Sequence, residues 1–347
     1  MTAGPLLESR LPLAAAPMAG GPTSLALARA VVDAGAFAFL AAGYKTAEAM
    51  AQEIAQMRGL GAAFGVNLFV PTSARVDHGA FRAYADELQP EADVYGLRLD
   101  PEPVDDDDDW SAKLAYLLAH PVPVVSLTFA LPSPTEIAAL RRVGTRVLAS
   151  ITTPEEARAA ADAGVDGLVA QGFGAGGHSA THDPSRLPAP VSTAALVRTV
   201  RQAVDLPVIA TGGVDGPVAV TSLLAVGAEC VAVGTLLLRT DEAGTSKTHR
   251  EALRRAQPEQ TVVTRAFTGR PARALRNGFI DRHGADAPVA YPAVHHLTRE
   301  LRRAAGRAGD ADRLHLWAGT GYPNAPDGAA ADVLRWLASD GAPTMQR

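Results

Sequence analysis

The chain has 347 residues, enough for one large α/β domain with a smaller insertion. Its 47% apolar content and 5% aromatic content exclude a disordered or fibrous chain and fit an Ala/Val/Leu-built core. A formal net charge of -5 leaves no cationic excess to neutralise phosphates, so nucleic acid is not an expected partner.

Eight short apolar runs follow one another along the chain: Leu13–Met18, Ala36–Ala41, Ala63–Phe69, Val122–Phe129, Arg146–Ile151, Gly167–Ala170, Pro207–Thr211 and Cys230–Gly234. They are continuous rather than alternating, as parallel strands covered on both faces require. Helical patterns separate them. Thr23-Ser24 opens the first helix and Gly35 ends it; Thr153-Pro-Glu-Glu156 reads as a capping box with Pro at the first helical position, and Gly164 closes that helix. Eight strand–helix units predict a (β/α)8 TIM barrel, with an open doubly wound sheet as the alternative.

Two segments break the rhythm. Residues 71–121 are too long for one crossover and carry the acidic run Asp105–Asp109, read as a solvated loop or helix start, with metal binding as the sharper alternative. Residues 240–310 follow the eighth strand and are read as a small helical subdomain over the barrel mouth. The expected division is therefore a barrel over 1–239, the helical subdomain over 240–310, and a segment over 311–347 that completes the chain. Cys230, the single cysteine, lies in an apolar run and is read as a small buried residue, which suits a reducing cytoplasmic setting. No run reaches transmembrane length and no signal layout is present, so no membrane partner is expected.

Ligands of parallel barrels bind where strands end. After the sixth strand comes Gln171-Gly-Phe-Gly-Ala-Gly-Gly-His178; after the seventh, Thr211-Gly-Gly-Val-Asp215; after the eighth, Gly234-Thr235. One glycine pair alone reads as a tight turn, but three at successive strand ends point to a phosphate held by backbone amides. Met18 offers a soft apolar side chain to an aromatic ring, and the amides of Asn67 and Gln171 offer hydrogen bonds to its edge; structural roles for these two amides stay open. His178 ends the glycine loop and is the candidate proton-handling group. His182 reads as a surface-loop residue, and His249, His295 and His296 as solvated or lid residues. The sequence has no P-loop, no H-E-x-x-H spacing and no G-x-S-x-G elbow. The partial G-x-G-x-x-G over 172–177 lacks the later acidic residue of a dinucleotide fold.

Taken together, Ala16-Pro-Met-Ala-Gly20, Gly65-Val-Asn-Leu-Phe69, Ala170–His178, Ala210-Thr-Gly-Gly213 and Val233-Gly-Thr235 resemble the landmarks of the nitronate monooxygenases. The likeness extends to Phe267–Arg273 with Asn277, and to Trp317–Gly321. It implies a barrel with an inserted helical domain, non-covalent FMN and no metal. Met18, Asn67, Gln171, Gly176, Gly177, Gly212, Gly213, Val233, Gly234, Thr235 and Leu236 would hold the flavin, and His178 would meet the substrate, a nitronate oxidised by O2 to a carbonyl compound and nitrite. A homodimer is compatible with it. Thr128 stands where many relatives have histidine, Phe173-Gly174 where Ala-Glu is usual, and His295 where Asn is frequent. Two rival readings keep the flavin: an NADH-dependent quinone or enoyl-thioester reductase, and a non-catalytic flavin-binding barrel.

Overall fold

The computed structural model describes residues 5–72 and 76–339. Strand β1 (Leu13–Ala15) leads to helix α1 (Leu25–Ala34), capped at its start by Ser24 Oγ on the Leu27 amide (2.9 Å) and at its end by Gly35 with φ 89°. Then come β2 (Phe37–Ala41), α2 (Ala47–Arg58) and β3 (Phe64–Phe69). Two helices, α3 (His78–Asp93) and α4 (Trp110–Ala119), precede β4 (Val124–Thr128). The alternation resumes with α5 (Pro134–Arg142), β5 (Arg146–Ile151), α6 (Pro154–Asp162) and β6 (Gly167–Gln171). A two-residue strand, β7 (Gly177–His178), interrupts the passage to α7 (Thr193–Ala203), β8 (Val208–Thr211), α8 (Pro217–Ala225) and β9 (Cys230–Val233).

Eight parallel strands close into a barrel in the order β1-β2-β3-β4-β5-β6-β8-β9, with Ala14 registered against Ala232 at the seam. The fold is a (β/α)8 TIM barrel. Every expected apolar run supplies one of these strands. Their continuous apolar pattern has a direct cause: Phe37, Phe39, Val124, Leu148 and Ile209 fill the barrel interior above Leu6 and Leu7, while Val66, Leu68, Val125, Leu127 and Val147 pack outward under the helices. Cys230 faces that interior, and burial pushes its thiol up to about 12.

The expected capping box at α6 forms only in part. Thr153 Oγ1 accepts the Glu156 amide at 3.1 Å, but the Glu156 carboxylate turns elsewhere, accepting the amides of Thr152 (2.6 Å) and His182 (2.8 Å). It thereby ties the segment after β7 to the end of β5.

After β9 the chain forms α9 (Lys247–Arg255), β10 (Thr261–Thr264), β11 (Ala272–Leu275), α10 (Gly278–His283), α11 (Ala293–Ala308) and α12 (Ala330–Leu337). The segment expected to be helical thus contains a hairpin, and β7 joins its edge in the order β10-β11-β7. The two breaks in the rhythm also meet in space. Phe81, Tyr84 and Leu88 of α3 share a core with Phe267, Phe279, Val294 and Leu301, and Tyr84 donates to the Ala266 carbonyl at 2.7 Å. Among the described residues no helix is long and apolar enough to cross a membrane.

Candidate active site

The strand ends open into a cavity of about 830 Å³. Of the residues expected to hold the flavin or meet the substrate, all but one line it: Met18 after β1, Asn67 on β3, Gln171 on β6, Gly176, Gly177 and His178 on the loop and strand beyond, Gly212 and Gly213 after β8, and Val233, Gly234 and Thr235 after β9. Leu236 does not; it is fully buried in the core beneath the site.

The glycines are needed because backbones meet there. A Cβ on Gly176 would stand 2.3 Å from the Gly319 nitrogen, so the β6–β7 loop lies directly against residues 318–321. Thr320 donates its amide to Gly174 at 2.9 Å, and Gly319 donates to Thr235 Oγ1 at 2.9 Å. Gly212 and Gly213 hold φ values of 101° and 72°, turning the chain tightly ahead of α8. Three strand ends and the 318–321 segment thus enclose one glycine-lined cradle; the Gly319 and Thr320 amides are spent in closing it, so an anion there would be met by the strand-end loops.

Beside the cradle, Asn67 is 4% exposed and gives its Nδ2 to Ser126 O (3.2 Å), Ser126 Oγ (3.0 Å) and Thr128 Oγ1 (3.0 Å). Thr128 Oγ1 continues to Ser150 Oγ at 3.2 Å. This hydroxyl belt fixes the amide orientation and leaves Oδ1 as an acceptor for the N–H edge of a ring. Gln171 is engaged differently: Nε2 donates to His178 O (3.1 Å) and Oε1 accepts the Ala180 amide (2.8 Å). Both ends of this side chain shape the loop that carries His178.

His178 pairs with Ala272 across the small sheet, and its Nε2 lies 2.9 Å from Thr268 Oγ1. The rings of Trp317, Phe129 and Tyr291 surround it with centroids 5.4, 5.6 and 5.8 Å away. Burial, and then the nearby Arg270 and Arg302 guanidinium groups, lower its pKa to about 3, so the imidazole is neutral at physiological pH.

Several of these neighbours were invisible in the sequence. Arg270 is fully buried, stacked 4.0 Å over Phe129. Arg302 projects from the buried face of α11, beside Thr298 and His295. A signal for it existed: Val294, Thr298, Leu301 and Ala305 mark the buried stripe of that helix, and an arginine falls among them. Tyr44 stacks on His295 with centroids 4.0 Å apart. His249 and His295 are buried rather than solvated, and both line the cavity. His182 is half-buried and holds Ser150 O at 3.1 Å.

The acidic run serves the same mouth. Asp108 accepts the Tyr44 amide (2.7 Å) and Lys113 Nζ (2.8 Å), Asp109 accepts the Ala47 amide (2.7 Å), and Asp106 meets His296 Nε2 at 2.7 Å. Among the described residues no group of three metal-ligating side chains comes together.

An amide cradle beside a caged, neutral imidazole, both at the C-terminal mouth of a closed parallel barrel, defines a cofactor-dependent barrel enzyme. The nitronate monooxygenase family profile matches residues 7–338, and the chain belongs to that family, whose members are flavin-dependent oxidoreductases. A nitronate monooxygenase of Pseudomonas aeruginosa is 36% identical over 343 residues, spanning 96% of this chain and 97% of its own. A nitroalkane oxidase from Streptomyces ansochromogenes has a similar structure, with 47% identity, a TM-score of 0.90 and 95% of each chain covered. FabK from Thermotoga maritima, at 24% identity and a TM-score of 0.72 over 96% of this chain and 94% of its own, shares the fold.

Proposed function

We propose that this protein binds FMN without a covalent link and oxidises alkyl nitronates with O2 to a carbonyl compound and nitrite. The observation that carries this reading is the continuity of Gly176, Gly177 and His178. The first two belong to the cradle and the third to the aromatic cage, so a group held by one must lie beside the other. The residues fit a flavin mononucleotide: a terminal phosphate suits the cradle closed by residues 318–321, Met18 offers its thioether beside Gly234, and Asn67 Oδ1 accepts from a ring N–H.

Bound FMN would supply the electron transfer between nitronate and O2. The chain supplies the rest. Phe129, Tyr291 and Trp317 shield the reacting carbon from water. Thr268 holds His178 Nε2, leaving Nδ1 free to take the α-proton of a neutral nitroalkane, a transfer that the lowered imidazole pKa permits only because the nitronate formed beside it pairs with the imidazolium. A substrate that arrives as the anion needs no proton removed, and there His178 orients it.

The test is a visible spectrum of the purified protein followed by anaerobic addition of ethyl nitronate or NADH. Bleaching by the nitronate but not by NADH supports the reading. Bleaching by NADH alone would replace it with a nicotinamide-dependent reductase, and a protein that takes up no FMN would overturn it.

A further inference from the structure

Arg302 is 6% exposed, and burial lowers its pKa to about 10, still cationic at neutral pH. Its Nε donates to Thr298 Oγ1 at 3.0 Å and its Nη2 to His295 O at 2.9 Å. Both partners are neutral, and Arg302 pairs with no carboxylate among the described residues. The acids nearest the mouth are already occupied: Asp108 by Lys113 and Asp106 by His296. The phenols of Tyr44 and Tyr291 are held protonated by burial. A desolvated cation without a counterion is costly, and an incoming anion relieves that cost.

One nitrogen of the guanidinium is free to do so. Nη1 makes no hydrogen bond among the described residues, and unlike Nε and Nη1 of Arg270 it is not sealed within protein. Arg302 lines the cavity together with His178, His315 and Trp317. A nitronate shares one negative charge over two oxygens, and either of them can accept a charge-assisted hydrogen bond from this one free nitrogen.

We propose that Arg302 Nη1 anchors one oxygen of the nitronate and so selects the anionic form of the substrate. This rests on the nitronate reading above. Thr298 and the His295 carbonyl hold the guanidinium plane still, so that oxygen binds at one wall of the chamber while His178 meets the carbon from another.

The experiment uses the FMN-loaded protein, its Arg302→Met variant and its charge-retaining Arg302→Lys variant, with flavin content and melting temperature measured for each. Calorimetric titration with nitrate, a planar anion that does not react, reads the anchor without turnover. Kinetics with ethyl nitronate and neutral nitroethane read selectivity. Arg302→Met is expected to weaken nitrate and raise KM for the nitronate by roughly 10- to 100-fold, as loss of a hydrogen bond to a charged group predicts. Its kcat with nitroethane should change less than its KM for the anion, and Arg302→Lys should recover part of the nitrate affinity. Failure of the native protein to bind nitrate would overturn the proposal, as would native-like nitrate affinity in a flavin-loaded Arg302→Met. Equal loss on both substrates would also overturn it, marking Arg302 as structural. If nitrate binding depends on Arg302 while no nitronate is oxidised, the anchor stands and the proposed reaction falls.

Discussion

His178 Nε2 and Thr268 Oγ1 lie 2.9 Å apart, and the same hydroxyl stands 3.4 Å from the Arg270 carbonyl. A carbonyl only accepts, so one arrangement alone satisfies both contacts: the hydroxyl donates to Arg270 O and accepts from His178 Nε2–H. Thr268 is thus a positioning residue that places the imidazole proton on Nε2 and the lone pair on Nδ1. Thr268→Val should release this tautomer and lower kcat with neutral nitroethane by about tenfold or more, with a smaller effect on preformed nitronate. Thr268→Ser should behave like the native protein. Nitrogen-15 resonances of His178 give the decisive readout, and an unchanged tautomer in Thr268→Val would refute the assignment.

Burial also sets a pH dependence of stability. Burial lowers the pKa of His178 to about 3 and of His249 to about 4, and holds His295 and His315 well below the usual histidine range. These imidazoles bind protons more readily in the unfolded chain. Their contribution is therefore complete above about pH 6.5, falls as pH drops below it, and stops falling below each folded value. The melting temperature should decline from pH 7 to pH 5, each fully shifted histidine contributing up to about 1.4 kcal/mol per pH unit. His249→Phe should flatten the slope by one proton's worth. With preformed nitronate, kcat should show no inflection near pH 6.5, because His178 stays neutral through that range.

The cradle gives a third expectation. Gly176→Ala forces a methyl into the Ala318–Gly319 backbone, which cannot retreat as a flexible side chain would. Cradle and covering segment must separate, so the variant should be isolated largely free of flavin while keeping the far-ultraviolet circular dichroism of the barrel. Native flavin content in Gly176→Ala would show that the phosphate end lies elsewhere.

These residues show which parts of the molecule a sequence reveals. The barrel was legible because a strand covered on both faces must be apolar throughout, and such runs recur with helical patterns between them. The glycine loops were legible because close backbone contact excludes side chains. The small sheet was not, since two residues, Gly177 and His178, carry no periodicity. The joining of α3 to residues 266–301 was hidden for another reason: Phe81, Tyr84 and Leu88 look like one face of any amphipathic helix, and nothing local names the partner. Arg270 and Arg302 were obscured because arginine is normally read as solvated, whereas here Arg270 is enclosed by protein against Phe129 and Arg302 lines the cavity.

The acidic run also carries a buried ion pair. Lys113 is 1% exposed at its side chain, bonds Asp108 at 2.8 Å, and also donates to Ala42 O at 3.0 Å. Burial pushes the Asp108 carboxyl up to about 6 against the opposing pull of Lys113. An acid whose folded pKa is raised favours the fold when protonated, and that contribution is lost as pH rises through 6. Lys113→Met removes the counterion and leaves a buried carboxylate, a loss of roughly 3–5 kcal/mol when the acid is ionised. Without the pull of Lys113 the Asp108 carboxyl should take up its proton at a higher pH than in the native protein, so the variant should be most destabilised at alkaline pH and approach the native protein toward pH 5. Adding Asp108→Asn should restore much of the stability at neutral pH, because the amide oxygen still accepts from the Tyr44 amide and no charge remains. Denaturant unfolding of both single variants and the double variant at pH 5 and pH 8 checks this. A double variant no more stable than Lys113→Met at pH 8 would show that the lysine acts through its bond to Ala42 and not through the pair.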